Sequence, residues 1–113
     1  MKVVGFCGFS GSGKTTLVEQ LISRLRLAGQ RVSVIKHAHH DFDIDQPGKD
    51  SHRHRVAGAF EVLIASDRRL ARIREYERQA DPTVHQLLAE IYEVDWVLVE
   101  GFKREVERRL EVY

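Results

Sequence analysis

The eight residues Gly8-Phe9-Ser10-Gly11-Ser12-Gly13-Lys14-Thr15 fit the pattern G-x-x-x-x-G-K-[ST], and they constrain the fold more than any other stretch of the chain. Such a loop does its work between a strand and a helix. Val3–Cys7 reads as a short buried strand and Thr16–Leu27 as a helix, so the setting is present on both sides. Glycines at 8, 11 and 13 let the backbone turn its N–H groups inward around an anion. The helix that opens near Gly13 adds the positive end of its dipole. Ser10, Gly11, Ser12 and Gly13 then line the phosphates, and Lys14 reaches the β- and γ-phosphates. The Thr15 hydroxyl completes the shell of a Mg²⁺ ion, and Thr16 is placed to donate to the α-phosphate. The chain is therefore expected to bind a nucleoside triphosphate with Mg²⁺. Phe9 leaves the second loop position without a lysine, so this is not the two-lysine variant of some dimeric ATPases.

The 113 residues suit one domain, and 42% hydrophobic with 31% charged residues is ordinary for a soluble globular chain. A formal net charge of +1 gives no case for nucleic acid or an anionic membrane as the main partner. The start of the sequence lacks the apolar run of a signal peptide, and no segment approaches the about 20 residues needed to span a bilayer, so a cytoplasmic protein is expected. The single cysteine, Cys7, cannot form an internal disulfide and reads as a packed thiol at the end of a buried strand.

Strands and helices alternate along the chain. In the first helix Leu17, Val18, Leu21, Ile22 and Leu25 form one apolar stripe, and Gly29 supplies the stop. Arg31–Lys36 is the next strand, and the strand-helix-strand unit predicts a parallel pairing of the two strands. Residues 37–50 form a long polar loop with a turn at Pro47-Gly48, after which Asp50 or Ser51 caps a short helix through Ala57. Phe60–Ala65 reads as a central strand and Arg69–Arg74 as a weaker one. Asp81-Pro82 is expected to open a helix with the face Val84, Leu87, Leu88 and Ile91. Trp96–Val99 is the most apolar strand of the second half, and Leu110–Tyr113 is a short last strand. This is a three-layer α/β pattern on a mainly parallel sheet, with ligands at the carboxyl ends of the strands, where Gly8, His37 and Glu100 fall.

Glu100 is the second piece of phosphate chemistry, because a carboxylate at a strand tip beside the loop holds Mg²⁺ through water or polarises the attacking water. Gly101 lets the chain turn close to the γ-phosphate, and Lys103 brings a positive charge nearby. The stretch Lys36-His37-Ala38-His39-His40-Asp41-Phe42-Asp43-Ile44-Asp45 is rich in metal-ligand types, yet its spacing matches no closed zinc site. It reads as a polar loop lining the nucleotide, with Asp41 and Asp43 as second-shell contacts to Mg²⁺ or as water-positioning groups. His52, His54 and His85 fall on predicted helices and read as surface residues. Most of the cluster Arg68, Arg69, Arg72 and Arg74 reads as a solvated face.

Five stretches together closely resemble the MobB family, the GTP-binding adapter proteins of molybdopterin-guanine dinucleotide biosynthesis. They are Gly8–Thr15, Ile35–Asp45, Pro47–Ser51, Arg55–Ala59 and Leu98–Lys103, in the family's order. The resemblance runs from Val3 to the last strand and implies a homodimeric P-loop protein, a single nucleotide-binding domain over 1–113, with weak GTPase activity. It further implies GTP and Mg²⁺ as ligands and a role in assisting the molybdopterin guanylyltransferase (MobA-like) that joins GMP to molybdopterin. The partner enzyme and the pterin are then further ligands. Family members usually continue past the final strand into segments expected to contact guanine, whereas this sequence ends at Tyr113 and contains no Asn-Lys-x-Asp guanine motif. Base specificity accordingly rests on the resemblance. Two other classes use the same loop: a metal-insertion GTPase that delivers nickel through a His-rich loop, and a small-molecule kinase, for which no arginine-bearing lid is evident.

Overall fold

The computed structural model describes residues 1–8, 14–38, 42, 44–45, 47–101 and 109–112. In chain order the elements are β1 (Lys2–Gly8), α1 (Lys14–Leu27), β2 (Val32–Lys36), α2 (Asp50–Val56), β3 (Glu61–Ala65), β4 (Leu70–Arg74), α3 (Val84–Leu88), β5 (Trp96–Glu100) and β6 (Arg109–Val112). They fall into two compact units, Met1–His39 with Pro82–Tyr113, and His40–Asp81.

The first unit is built on a four-stranded sheet in the order β2-β5-β1-β6, with every pairing parallel. The expected direct pairing of β1 with β2 does not form. The two strands run parallel, but β5 lies between them and pairs with both. Burial explains the insertion: Val97, Leu98 and Val99 are at most 1% exposed, and a strand apolar on both faces needs neighbours on both edges and layers above and below. Each such side chain contributes about 1.5–3 kcal/mol relative to leaving it in water.

The two faces of the sheet carry separate clusters. On one, Ile35, Val97 and Val99 pack with Val84, Leu87, Leu88 and Ile91 from and just beyond α3, the predicted helix face. On the other, Phe6 and Leu98 pack with Val18, Leu17, Leu21 and Ile22 of α1, as the periodicity of that helix requires. Helix, sheet and helix give the expected three layers. The helix α1 ends as predicted at Gly29, whose φ of 81° is open to glycine. The Gln30 N–H donates to the Leu25 carbonyl at 2.9 Å and the Gly29 N–H to the Arg26 carbonyl at 3.0 Å, which is the Schellman arrangement. The start of α3 differs from expectation. Its cap is Thr83, which accepts from the Gln86 N–H at 3.1 Å while the Gln86 side chain accepts from the Thr83 N–H at 2.9 Å. A reciprocal capping box satisfies two orphan donors and outcompetes the Asp81-Pro82 start.

In the second unit β3 and β4 form an antiparallel two-stranded sheet. Phe60–Ala65 is therefore not a central strand of the parallel sheet, and the 52% and 42% exposures of Leu63 and Ile64 reflect this. Glu61 accepts from Arg74 at 2.8 Å and pairs with Arg72 at 3.4 Å across the hairpin, so two arginines of the cluster read as solvated are engaged in cross-strand pairs. Asp50 is the first residue of α2 and not its cap; Lys49 occupies that position with no side-chain cap bond. Among the described residues, no helix is long and apolar enough to cross a membrane.

Candidate functional site

The strand-loop-helix setting of the phosphate loop is present: β1 ends at Gly8 and α1 begins at Lys14, two residues earlier than the periodicity placed it. Lys14 and Thr15 therefore open the helix, the position from which a helix dipole favours an anion. Thr16 follows and is exposed. Ser10, Gly11, Ser12 and Gly13 lie outside the described residues, as do Asp41, Asp43 and Lys103.

The parallel register brings three strand tips together. Phe6 of β1 and Lys36 of β2 are both direct partners of Glu100 at the end of β5, and Gly8 lies two residues beyond Phe6. Side chains alternate along a strand, and Leu98 packs on the α1 face while Val97 and Val99 pack on the other. Glu100 thus shares the α1 face with Phe6 and Lys36, the face whose helix opens at Lys14. Its residue exposure is 6%, the lowest of any charged residue among those described. Among the described residues its carboxylate has no hydrogen-bond or ion-pair partner. A buried carboxylate without a partner is costly, and its oxygens suit a hard cation such as Mg²⁺ or a water held by one.

Backbone bonds fix this tip from both sides. The His37 N–H donates to the Glu100 carbonyl at 2.9 Å, and the Gly101 N–H donates to the Phe6 carbonyl at 3.2 Å. Gly101 has φ 98°, and a Cβ placed on it would lie 3.0 Å from the His37 Cβ and 3.6 Å from the His37 carbonyl oxygen. Only glycine combines that backbone conformation with that approach. The turn expected at Gly101 is therefore present, and its tight neighbour among the described residues is His37.

Two features had not been assigned from the sequence. The sequence reading ends the strand Arg31–Lys36 at Lys36 and opens the histidine-rich stretch with it but gives it no role, although the rule that ligands sit at strand ends applies to it as the last residue of β2. Within the second unit, Arg55 donates to both Asp45 oxygens at 2.6 and 3.2 Å and to Glu75 at 2.5 Å. The Asp45 and Arg55 side chains are 7% and 12% exposed. Burial pushes the Asp45 carboxyl up, but hydrogen bonds from Arg55 and Ser51 and the Arg55 charge outweigh it and hold the group below the usual carboxylate range. No local pattern signals this pair, because its partners are ten residues apart and meet through the loop before α2.

An open groove in the second unit is lined by Lys49, Asp50, Ser51 and His54 on one side and by Val62–Ala65 on the other. It includes none of the residues expected to hold nucleotide. Among the described residues no three His, Cys, Asp or Glu side chains converge as a metal site. His39 and His40 lie outside those residues.

A sequence model of the MobB family, described as Molybdopterin guanine dinucleotide synthesis protein B, matches residues 3–113. The chain belongs to the MobB family. It is 46% identical over 106 residues to the molybdopterin-guanine dinucleotide biosynthesis adapter protein of Haemophilus influenzae, covering 91% of this chain and 58% of that protein. It is 42% identical over 105 residues to the Escherichia coli K12 adapter protein, covering 91% of this chain and 60% of that one. The chain thus spans less than two thirds of the length of these curated relatives. Among solved structures, Bacillus subtilis MobB superposes with a TM-score of 0.79 at 28% identity, covering all of this chain and 68% of that one. A MobB homologue from Bacillus stearothermophilus gives a TM-score of 0.73 at 26% identity, over 99% of this chain and 63% of that one. The P-loop fold and the family read from the sequence both stand.

Proposed function

We propose that this MobB-family chain is a single nucleotide-binding domain that binds GTP with Mg²⁺, hydrolyses it weakly, and serves as an adapter in molybdopterin-guanine dinucleotide biosynthesis. In that role it assists the guanylyltransferase that attaches GMP to molybdopterin, acts as a homodimer in the cytoplasm, and contacts the partner enzyme and the pterin. The names of its relatives support the pathway. The observation that carries the nucleotide chemistry is Glu100, buried at the strand tip on the α1 face and, among the described residues, without a partner.

The residues divide the work. Gly8 ends the strand that leads into the loop, whose Ser10, Gly11, Ser12 and Gly13 supply backbone N–H groups to the phosphates. Lys14 and Thr15 act from the first turn of α1, Lys14 as a charge on the β- and γ-phosphates and Thr15 through its hydroxyl. Thr16 donates to the α-phosphate. Thr15 and Glu100 hold Mg²⁺, Glu100 directly or through water. When bound, the ion neutralises charge on the phosphate oxygens. Glu100, with Asp41 and Asp43, orients the attacking water, and Gly101 and Lys103 border the terminal phosphate.

Thermal unfolding tests the reading. A ligand at 100 times its Kd stabilises by about 2.7 kcal/mol, and each kcal/mol shifts the melting temperature of a domain near this size by about 4–8 °C. Mg²⁺-GTP is expected to raise the melting temperature by about 10 °C or more, with ATP much less effective. No shift with any triphosphate would sink the nucleotide reading, and an equal shift with ATP would sink the guanine preference.

A further inference from the structure

We propose that Lys36 is a second phosphate-binding cation, directed at the terminal phosphate of the bound nucleotide and distinguishing triphosphate from diphosphate. The proposal rests on the nucleotide-binding reading and adds to it a residue outside the loop.

Lys36 is the last residue of β2 and the direct register partner of Glu100. Paired residues of neighbouring parallel strands share a face. Ile35 packs in the α3 cluster, so alternation places Lys36 on the α1 face beside Glu100. Opposite charges on one face of neighbouring strands attract each other. Here they do not pair: Glu100 is buried and Lys36 is exposed. Among the described residues the site thus holds a carboxylate and an ammonium on neighbouring strand ends, neither of them in an ion pair. A ligand that carries a cation and an anion together matches that pair, and a magnesium-bound phosphate is one.

The strand order decides which phosphate Lys36 meets. The loop follows β1 in sequence and Lys14 opens the helix after it, while β2 lies on the far side of β5 from β1. Adjacent strands are about 4.8 Å apart, so the tips of β1 and β2 are separated by about 10 Å, a gap that the four-carbon stem of a lysine largely crosses. A polyphosphate anchored at the β1 end and running over the tip of β5 brings its last phosphate towards β2. A cation supplied in cis at that end is a recurring device for terminal-phosphate charge.

The test compares GTP and GDP binding, each with Mg²⁺, by calorimetry on the full 113-residue chain and its variants. Lys36→Ala is expected to weaken GTP binding by about tenfold or more, the effect of losing one charge-assisted hydrogen bond, with GDP binding within about twofold of the parent protein. Lys36→Arg should recover most of the GTP affinity. The melting temperature of the nucleotide-free protein should not change, because Lys36 is exposed at a strand end. Equal losses for GTP and GDP, or no loss for either, would overturn the proposal. Lys14→Ala separates it from the reading beneath: that variant should weaken both nucleotides. If Lys14→Ala binds both as the parent does, the phosphate-loop reading falls and takes this proposal with it.

Discussion

Replacing Gly101 by alanine is the most direct perturbation of the strand tip that carries Glu100. Two costs add. The φ of 98° is a conformation that L-residues rarely adopt, at about 1–3 kcal/mol. The new methyl would lie 3.0 Å from the His37 Cβ, an atom tied to the backbone that cannot swing aside, and overpacking of this kind costs about 1–3 kcal/mol more. The sum is about 2–6 kcal/mol, which at about 4–8 °C per kcal/mol is a fall in melting temperature of about 8–48 °C. Gly29→Ala is the internal control, because it has φ 81° but nothing within 4 Å of the added carbon. It should lose only the conformational part, about 1–2 kcal/mol. Thermal unfolding followed by far-ultraviolet circular dichroism reads both, and the double variant His37→Gly/Gly101→Ala should recover the steric part but not the conformational one. If Gly101→Ala melts no lower than Gly29→Ala, or the double variant recovers nothing, the close approach of the two tips does not constrain this site.

The remaining predictions concern the cation site, acid stability and a helix cap. Glu100→Gln should keep GTP binding but slow hydrolysis or weaken its Mg²⁺ requirement, and a variant that hydrolyses GTP at the parent rate with the same requirement would make Glu100 purely structural. The Asp45 carboxyl is held low in the folded protein, so its stabilising contribution is complete above the ordinary value of 3.8 and is lost as pH falls through the lower folded value. Asp45→Asn should flatten that acid limb in unfolding curves taken below about pH 4, and a limb of unchanged slope would refute the assignment. Thr83→Ala removes the reciprocal cap of α3 and should cost about 1 kcal/mol in denaturant unfolding, with no change in GTP affinity.

Element positions were legible because apolar periodicity is a local property, and α1, β1, β2 and β5 fall where the pattern put them within one to two residues. Sheet order was not, because it depends on which strand most needs cover. The adjacency of β1-α1-β2 in sequence suggests a direct pair, and the extreme burial of Val97–Val99 from the far end of the chain overrides it. Phe60–Ala65 was misplaced for a related reason: a short apolar run is the same signal for a buried parallel strand and for a hairpin strand with exposed leucine and isoleucine. The start of α3 was legible and missed, since Thr83-Val84-His85-Gln86 spells the capping-box signature three residues from its partner.

At the site, one residue follows from a conflict between levels that the sequence already contained. β5 reads Trp96-Val97-Leu98-Val99-Glu100, and its three middle residues are buried from both faces. Local preference and burial agree up to Val99 and then collide, because the next position is as closed to water as the core and carries a carboxylate. A sequence selected for stability alone would place an apolar residue there, so the buried charge is the observation on which the proposed role of Glu100 rests. Lys36 presents the milder form of the same conflict: a cation at the end of a strand, facing a carboxylate that it does not pair with. Lys36 is not informative alone, since a charged strand end is common. The juxtaposition of the two is, and it became visible only when β5 was found between β1 and β2, so that residues 64 positions apart in sequence became neighbours on one face.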